Sequence, residues 1–181
     1  MITDRRAAGS VPDLLRLVGR RLEDRIDFIQ IREKDLPAKD LFELTSVVMR
    51  LPHIGQTKII VNSRLDVALA ASAHGVHLPA GSPVASALRA ICPSGFLIGV
   101  SCHSVAEVSR AQDADYVLLA PIFKPLSKQD ERPALGLGEL AAAAQASKIP
   151  IMALGGITEE RIESCQRAGA QGVAGISLFS N

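Results

Sequence analysis

The sequence predicts an α/β protein, a (β/α)8 TIM barrel with its final helix missing or truncated. Short apolar runs recur along the chain, which is typical of strands buried on both faces. Helix-sized segments separate these runs and imply parallel strands with right-handed crossovers. The 181 residues, 48% of them hydrophobic, suit one domain spanning residues 1–181. An open doubly wound sheet is the alternative, but no strand is followed by the spaced glycines of a dinucleotide site.

The first half of the chain alternates strand and helix patterns from its start. Apolar residues at helical spacing, such as Leu14, Leu17 and Leu22, predict the helices, and apolar runs that end at polar or turn residues predict the strands. The predicted strands cover residues 1–3, 26–31, 58–62 and 75–78, and the predicted helices cover residues 12–24, 38–50, 66–72 and 84–91.

The second half continues the alternation. Its predicted strands cover residues 96–100, 116–119, 151–154 and 173–176, and its predicted helices cover residues 104–112, 139–146 and 159–168. Ser104 and Glu107 have the spacing of a capping box at the start of a helix. The sequence ends at Asn181, directly after the predicted eighth strand, and so lacks the eighth helix. We expect either that this helix has been truncated or that something else, such as the partner in a homodimer, covers the exposed flank of strands eight and one.

Composition excludes several classes of function. A net charge of +1, without a basic block, gives no electrostatic basis for binding nucleic acid. Aromatic residues at 3% argue against a base-stacking platform. Three widely spaced cysteines suggest neither a disulfide framework nor a zinc site, so a reducing cytoplasm is expected. We find no signal peptide and no apolar run that could span a membrane.

Residues that follow barrel strands face one common mouth. Cations follow the second and sixth strands, namely Arg32, Lys34, Lys124 and Lys128. Small residues follow the seventh and eighth strands, namely Gly155, Gly156 and Ser177. Carboxylates are scarce at these positions. The pattern predicts a phosphate site after the last two strands and a second phosphate group beside the cations.

Seven motifs occur in order along the chain. They are Gln30-Ile31-Arg32-Glu33-Lys34, Asn62-Ser63-Arg64-Leu65-Asp66, Gly75-Val76-His77-Leu78, Gly99-Val100-Ser101-Cys102-His103-Ser104, Ala114-Asp115-Tyr116, Pro121-Ile122-Phe123 with Ser127-Lys128, and Ala153-Leu154-Gly155-Gly156-Ile157. Together they resemble the thiamine phosphate synthase/TenI superfamily over essentially the whole chain.

The resemblance implies an enzyme that joins a pyrimidine pyrophosphate to a thiazole phosphate and releases pyrophosphate. It implies that the pyrophosphate is held by Arg32, Lys34, Asn62 and Lys128, with hydrogen bonds from Ser101 and Ser127. It places Gln30 in the substrate site. It assigns the thiazole phosphate to Gly155, Gly156, Ile176 and Ser177.

The chain departs from the synthase pattern where Mg²⁺ would bind. Ser63 stands where the family has an aspartate, and residues 79–82 contain no carboxylate where a second one is usual. Mg²⁺ is therefore implied by the resemblance while its usual ligands are absent, and we assign no metal ligand. The Leu78-Pro79-x-Gly81-Ser82 variation is closer to the TenI branch, whose tautomerases carry a catalytic histidine where this chain has Pro121.

Three functional hypotheses follow: a divergent synthase, a TenI-type thiazole tautomerase with His103 as its base, and a non-catalytic or regulatory binder of phosphorylated ligands. Each of these residues also has a purely structural interpretation. In that interpretation His103 stands at the start of a helix and makes a structural hydrogen bond. Arg32 and Lys34 would otherwise pair with Glu33 and Asp35. His77 is expected to point between the barrel and its helices.

Overall fold

The structure is a computed structural model that describes residues 1–52, 57–124 and 132–180. Its contacts divide the chain into two compact units. The first contains Met1–His77, Cys92–Leu97 and Phe179–Asn181, and the second contains Leu78–Ile91 and Ile98–Leu178. The single domain over residues 1–181 stays a prediction.

The first unit is built on three parallel strands, β1 (Phe28–Ile31), β2 (Lys58–Asn62) and β3 (Gly75–Leu78, whose last residue opens the second unit). Its helices are α1 (Arg5–Ala8), α2 (Val11–Glu23), α3 (Ala38–Met49) and α4 (Leu65–Ala70). Ser10 caps α2 by accepting a hydrogen bond from the Asp13 amide. The apolar stripe of α2 is buried as its helical spacing predicts.

The second unit is built on four parallel strands, β4 (Leu97–Cys102, whose first residue belongs to the first unit), β5 (Tyr116–Leu119), β6 (Ile151–Leu154) and β7 (Gly172–Ala174). Its helices are α5 (Ala85–Arg89), α6 (Val105–Arg110), α7 (Gly136–Ala146) and α8 (Glu159–Arg167), and a 3₁₀ turn follows at Ser177–Phe179. Its core includes Val117, Leu119, Ile122, Leu140 and Ile151, all fully buried.

The predicted first strand is wrong as an element of its own. Among the described residues, Ile2 makes only an isolated parallel bridge to Gln30, so the structure has seven strands rather than eight. The strand stops early because the Asp4 carboxylate accepts hydrogen bonds from the Arg6 and Ala7 amides and starts the four-residue helix α1.

Two further strands differ from the prediction at their carboxyl-terminal ends. β4 runs two residues beyond Val100, since Ser101 and Cys102 pair with Leu118 and Leu119 of β5. β7 ends at Ala174 instead of residue 176, and the chain then forms the 3₁₀ turn. None of the helices in residues 1–52, 57–124 and 132–180 has the length and apolar character needed to cross a membrane.

Candidate functional site

One face of the first unit's sheet carries polar side chains near the carboxyl ends of its strands. Gln30 of β1 donates from Nε2 to Oδ1 of Asn62 on β2, at 3.0 Å. Asn62 is in register with His77 of β3. Side chains in register on neighbouring parallel strands share a face, so these three groups line the same side of the sheet. The opposite side carries buried apolar residues, including Ile29, Ile31, Ile59, Val61 and Val76.

His77 therefore does not point between the barrel and its helices as predicted, because its register places it on the polar face with Asn62. Its side chain is only 2% exposed. Burial, and secondarily the charge of Arg32, lowers the pKa of His77 to about 4. The imidazole is consequently neutral at pH 7.

Stability should fall as the pH is lowered from about 6.5 towards 4. The unfolded His77 takes up a proton near its ordinary pKa of 6.5, whereas the folded one does so only near 4. The unfolded state therefore binds more protons in this window, and we expect a loss of about 2 kcal/mol between pH 7 and pH 5. Denaturant unfolding at both pH values measures this loss. The His77→Gln variant should lack that part of the pH dependence, and an equally steep slope in this variant would contradict the assignment.

Arg32 directly follows β1 and is half-buried. Among the described residues it forms no ion pair, because both carboxylates that could neutralise it are engaged elsewhere. Arg5 donates to both oxygens of Asp35 at 2.6 Å and to Glu33 at 3.3 Å. The alternative in which Arg32 pairs with Glu33 or Asp35 is therefore wrong. Lys34 is exposed at the same strand end.

A buried carboxylate fixes the backbone beside Arg32. Glu33 is 5% exposed and accepts a hydrogen bond from the Thr3 hydroxyl at 2.6 Å and from the Arg5 amide at 3.0 Å. The Thr3 hydroxyl in turn accepts one from the Arg32 amide at 2.9 Å. The sequence motif includes Glu33, but its partners lie about thirty residues away and only the fold reveals them.

Replacing Glu33 with glutamine should destabilise the protein by about 1–3 kcal/mol, because an amide NH2 group would face a donor where one of the two buried carboxylate oxygens now accepts. Urea unfolding measures the difference. Asp35→Asn is the matched control, since that carboxylate is exposed and exposed ion pairs contribute little to stability. Equal effects of the two substitutions would contradict the role of Glu33.

The turn after β2 does not offer a good site for Mg²⁺. Ser63 has a positive φ of 62°, uncommon for a non-glycine residue, and its hydroxyl accepts a hydrogen bond from Asn62 at 2.9 Å. The nearby Asp66 carboxylate is bound by Arg64. Within the described part of the chain, no group of three or more metal-binding side chains occurs. Neutral amide and hydroxyl oxygens fit Mg²⁺ poorly.

The second unit contains a tightly packed glycine turn after β6. Gly155 and Gly156 have φ values of 97° and 61°. A Cβ on Gly155 would lie 2.7 Å from the Pro121 Cα, and one on Gly156 would lie 2.4 Å from the Lys124 carbonyl oxygen. The turn also accepts a hydrogen bond from the Phe123 amide to the Gly155 carbonyl at 3.0 Å. Only glycine fits at both positions.

The glycine turn leads directly into α8, a nine-residue helix that begins at Glu159. The free amides and positive dipole end of α8 follow Thr158, close in sequence to the turn. The order strand, glycine turn and helix start is the arrangement that we predicted for a phosphate site. Ile176 is half-buried and Ser177 is exposed at the start of the 3₁₀ turn.

His103 is held on both sides of its ring. Its Nδ1 lies 2.6 Å from the Ala120 carbonyl oxygen. The Arg132 Nη1 lies 2.7 Å from both Nδ1 and Nε2. The His103 amide donates to Glu107 at 2.7 Å, and Ser104 accepts from the Glu107 amide, so the predicted cap is confirmed. A catalytic role for His103 stays a prediction.

The remaining predicted residues have different surroundings. Ser101 lies within β4 and is half-buried. Cys102 is 1% exposed, and burial raises the pKa of its thiol to about 11, so no thiolate forms at neutral pH. Ser127 and Lys128 lie outside the described residues. Arg132 and Arg161 contact predicted site residues, and the sequence did not predict either contact. The reason is that sequence patterns do not show which groups a long arginine side chain will contact.

Comparison with known proteins gives a consistent result. A family model described as thiamine monophosphate synthase matches residues 1–179. The thiamine-phosphate synthase of Methanoculleus marisnigri is 44% identical over 153 residues, 83% of this chain and 72% of the relative. That of Roseiflexus sp. (strain RS-1) is 40% identical over 179 residues, 98% and 75% of the two chains. The solved structure of thiamine phosphate pyrophosphorylase from Pyrococcus furiosus matches with a TM-score of 0.84 and 30% identity, covering 99% of this chain and 86% of the other. These matches confirm the predicted α/β fold class of the TIM-barrel type.

Proposed function

Because the chain belongs to the thiamine monophosphate synthase family, and so to thiamine biosynthesis, we propose that it joins a pyrimidine pyrophosphate to a thiazole phosphate and releases pyrophosphate. The observation that carries this proposal is Arg32, a half-buried cation that forms no ion pair among the described residues. Arg32 lies two residues after Gln30, whose side chain pairs with Asn62. A cation whose charge is not neutralised by a carboxylate favours binding of an anionic ligand with several oxygens.

In the proposed reaction the pyrimidine C–O bond breaks first, and the electron pair leaves with pyrophosphate. The resulting carbocation is captured by the thiazole nitrogen, which forms the new C–N bond. Arg32 stabilises the charge that develops on the departing pyrophosphate, with Lys34 beside it. The Asn62 amide is held by Gln30 and donates to Ser63, which keeps this group oriented at the strand end. The family resemblance also assigns Ser101, Ser127 and Lys128 to pyrophosphate binding, and this assignment stays a prediction.

The thiazole phosphate is proposed to bind at the Gly155–Gly156 turn, with Ile176 and Ser177. Glycines there let the phosphate approach the backbone amides without a Cβ in the way. The start of α8 follows and favours negative charge. Gly155 and Gly156 are therefore assigned to binding and not to proton transfer.

The tautomerase alternative has no comparable support. The histidine that this alternative would use, His103, has its Nδ1 2.6 Å from the Ala120 carbonyl oxygen, and the Arg132 guanidinium lies against both of its ring nitrogens. We therefore propose a positioning role for His103 at the junction of β4 and the Ala120 carbonyl.

The test is turnover with both substrates. Thiamine phosphate and pyrophosphate should appear in equal amounts when pyrimidine pyrophosphate and thiazole phosphate are supplied with excess Mg²⁺. A parallel reaction with a chelator shows whether the chain's own cations suffice. No product under either condition would remove the synthase proposal. Calorimetric binding of thiazole phosphate without turnover would then indicate a non-catalytic binder.

A further inference from the structure

We propose that Arg161 is a positioning residue that holds the Gly155–Gly156 turn in its binding shape. The proposal rests on the proposed function, since it assigns a support to the turn that receives thiazole phosphate. Arg161 lies in the first turn of α8 and is half-buried. Its Nη1 donates to the Gly156 carbonyl oxygen at 2.6 Å.

The same guanidinium packs on an aromatic ring. Its central carbon lies 4.6 Å from the centroid of the Phe123 ring, within the range of a cation–π contact. Phe123 is itself tied to the turn, because its amide donates to the Gly155 carbonyl at 3.0 Å. Arg161 thus joins the segment after β5 to the segment after β6 through one side chain.

The position of this arginine argues for a specific role. A cation in the first turn of a helix is disfavoured by the helix dipole, and α8 carries Glu159 and Glu160 beside it. An arginine there is explained by the carbonyl that it binds. With its carbonyl oxygen held by Arg161, Gly156 cannot rotate its peptide freely, so the amides of the turn keep one orientation for a phosphate.

We expect Arg161→Ala to weaken thiazole phosphate binding about tenfold, the loss typical of one charge-assisted hydrogen bond. The KM for thiazole phosphate should rise by the same factor, while kcat and the KM for pyrimidine pyrophosphate stay within about twofold. Arg161→Lys, which keeps a donor for the carbonyl, should recover part of the affinity. Arg167→Ala, in the last turn of the same helix and exposed, is the control and should match the wild type.

Phe123→Leu separates positioning from a direct contact of Arg161 with phosphate. Leucine brings no charge or donor, yet removing the ring should weaken binding about threefold because the guanidinium loses its support. Loss of affinity in Arg161→Ala together with wild-type affinity in Phe123→Leu would overturn the positioning role. An equal rise of both KM values in Arg161→Ala would also overturn it, since that pattern indicates general damage.

Calorimetric titration of thiazole phosphate keeps this inference separate from the proposed reaction. If the wild-type chain binds thiazole phosphate but forms no thiamine phosphate, the synthase proposal fails, and tenfold weaker binding by Arg161→Ala still supports the inference. If turnover occurs and Arg161→Ala binds thiazole phosphate as the wild type does, only the inference fails. Absence of binding to the wild-type chain overturns both.

Discussion

Substituting Arg32 with alanine should lower kcat/KM for pyrimidine pyrophosphate by about 100-fold to 1000-fold, the loss expected when a charged group that stabilises a leaving anion is removed. Arg32 is half-buried and forms no ion pair among the described residues, so no structural partner depends on its charge. The thermal midpoint should therefore change little. Steady-state kinetics with each substrate varied in turn, together with a thermal melt, measures both quantities.

Two further variants sharpen this result. Arg32→Lys should recover activity only in part, because lysine keeps the charge but not the planar pair of donors that matches phosphate oxygens. Arg6→Ala is the matched control, since that side chain is 75% exposed and its partner Asp35 keeps Arg5. Unchanged use of pyrimidine pyrophosphate by Arg32→Ala would remove Arg32 from the site and, with it, the main support for the proposed reaction.

Substituting Gly156 with alanine should lower kcat/KM for thiazole phosphate by about 100-fold, a loss typical of a reactant displaced by about 1 Å. The new Cβ would lie 2.4 Å from the Lys124 carbonyl oxygen, and backbone cannot move aside as a flexible side chain can. The positive φ of 61° adds strain for alanine. Kinetics with thiazole phosphate varied at saturating pyrimidine pyrophosphate measures the effect.

Gly138→Ala is the control for this substitution. Gly138 lies in α7, and nothing lies within 4 Å of the position that its Cβ would take, so alanine meets no obstacle. Activity should be unchanged, and stability should rise by about 0.5–1 kcal/mol because alanine suits a helix better than glycine. Wild-type kinetics in Gly156→Ala would show that the glycine turn does not hold the substrate.

Local patterns predicted several elements to the residue. The bounds of β2, β3, β5 and β6 agree with the prediction because each is a short apolar run that ends at polar or turn residues. The first predicted strand failed for a local reason as well, since Asp4 caps a helix that is too short to show periodicity. The end of β4 depends instead on the neighbouring strand β5, which pairs with Ser101 and Cys102.

The site was predictable to a similar degree. Motifs identified Gln30, Asn62 and the two glycines, and the structure brings Gln30 and Asn62 into contact. The face of His77 was not predictable, because it depends on the register between β2 and β3. Arg161 was not predictable either, since its carbonyl partner is set by how the side chain folds back over the start of α8.

By itself the sequence determined the family, the alternation of parallel strands with helices, and the glycine turn that follows β6. These properties are encoded locally, in the spacing of apolar residues and in the absence of a Cβ. Only the tertiary structure decided that Arg32 is left without an ion pair among the described residues. That outcome depends on Arg5 and Arg6, which reach Glu33 and Asp35 across about thirty residues of chain and take the carboxylates next to Arg32.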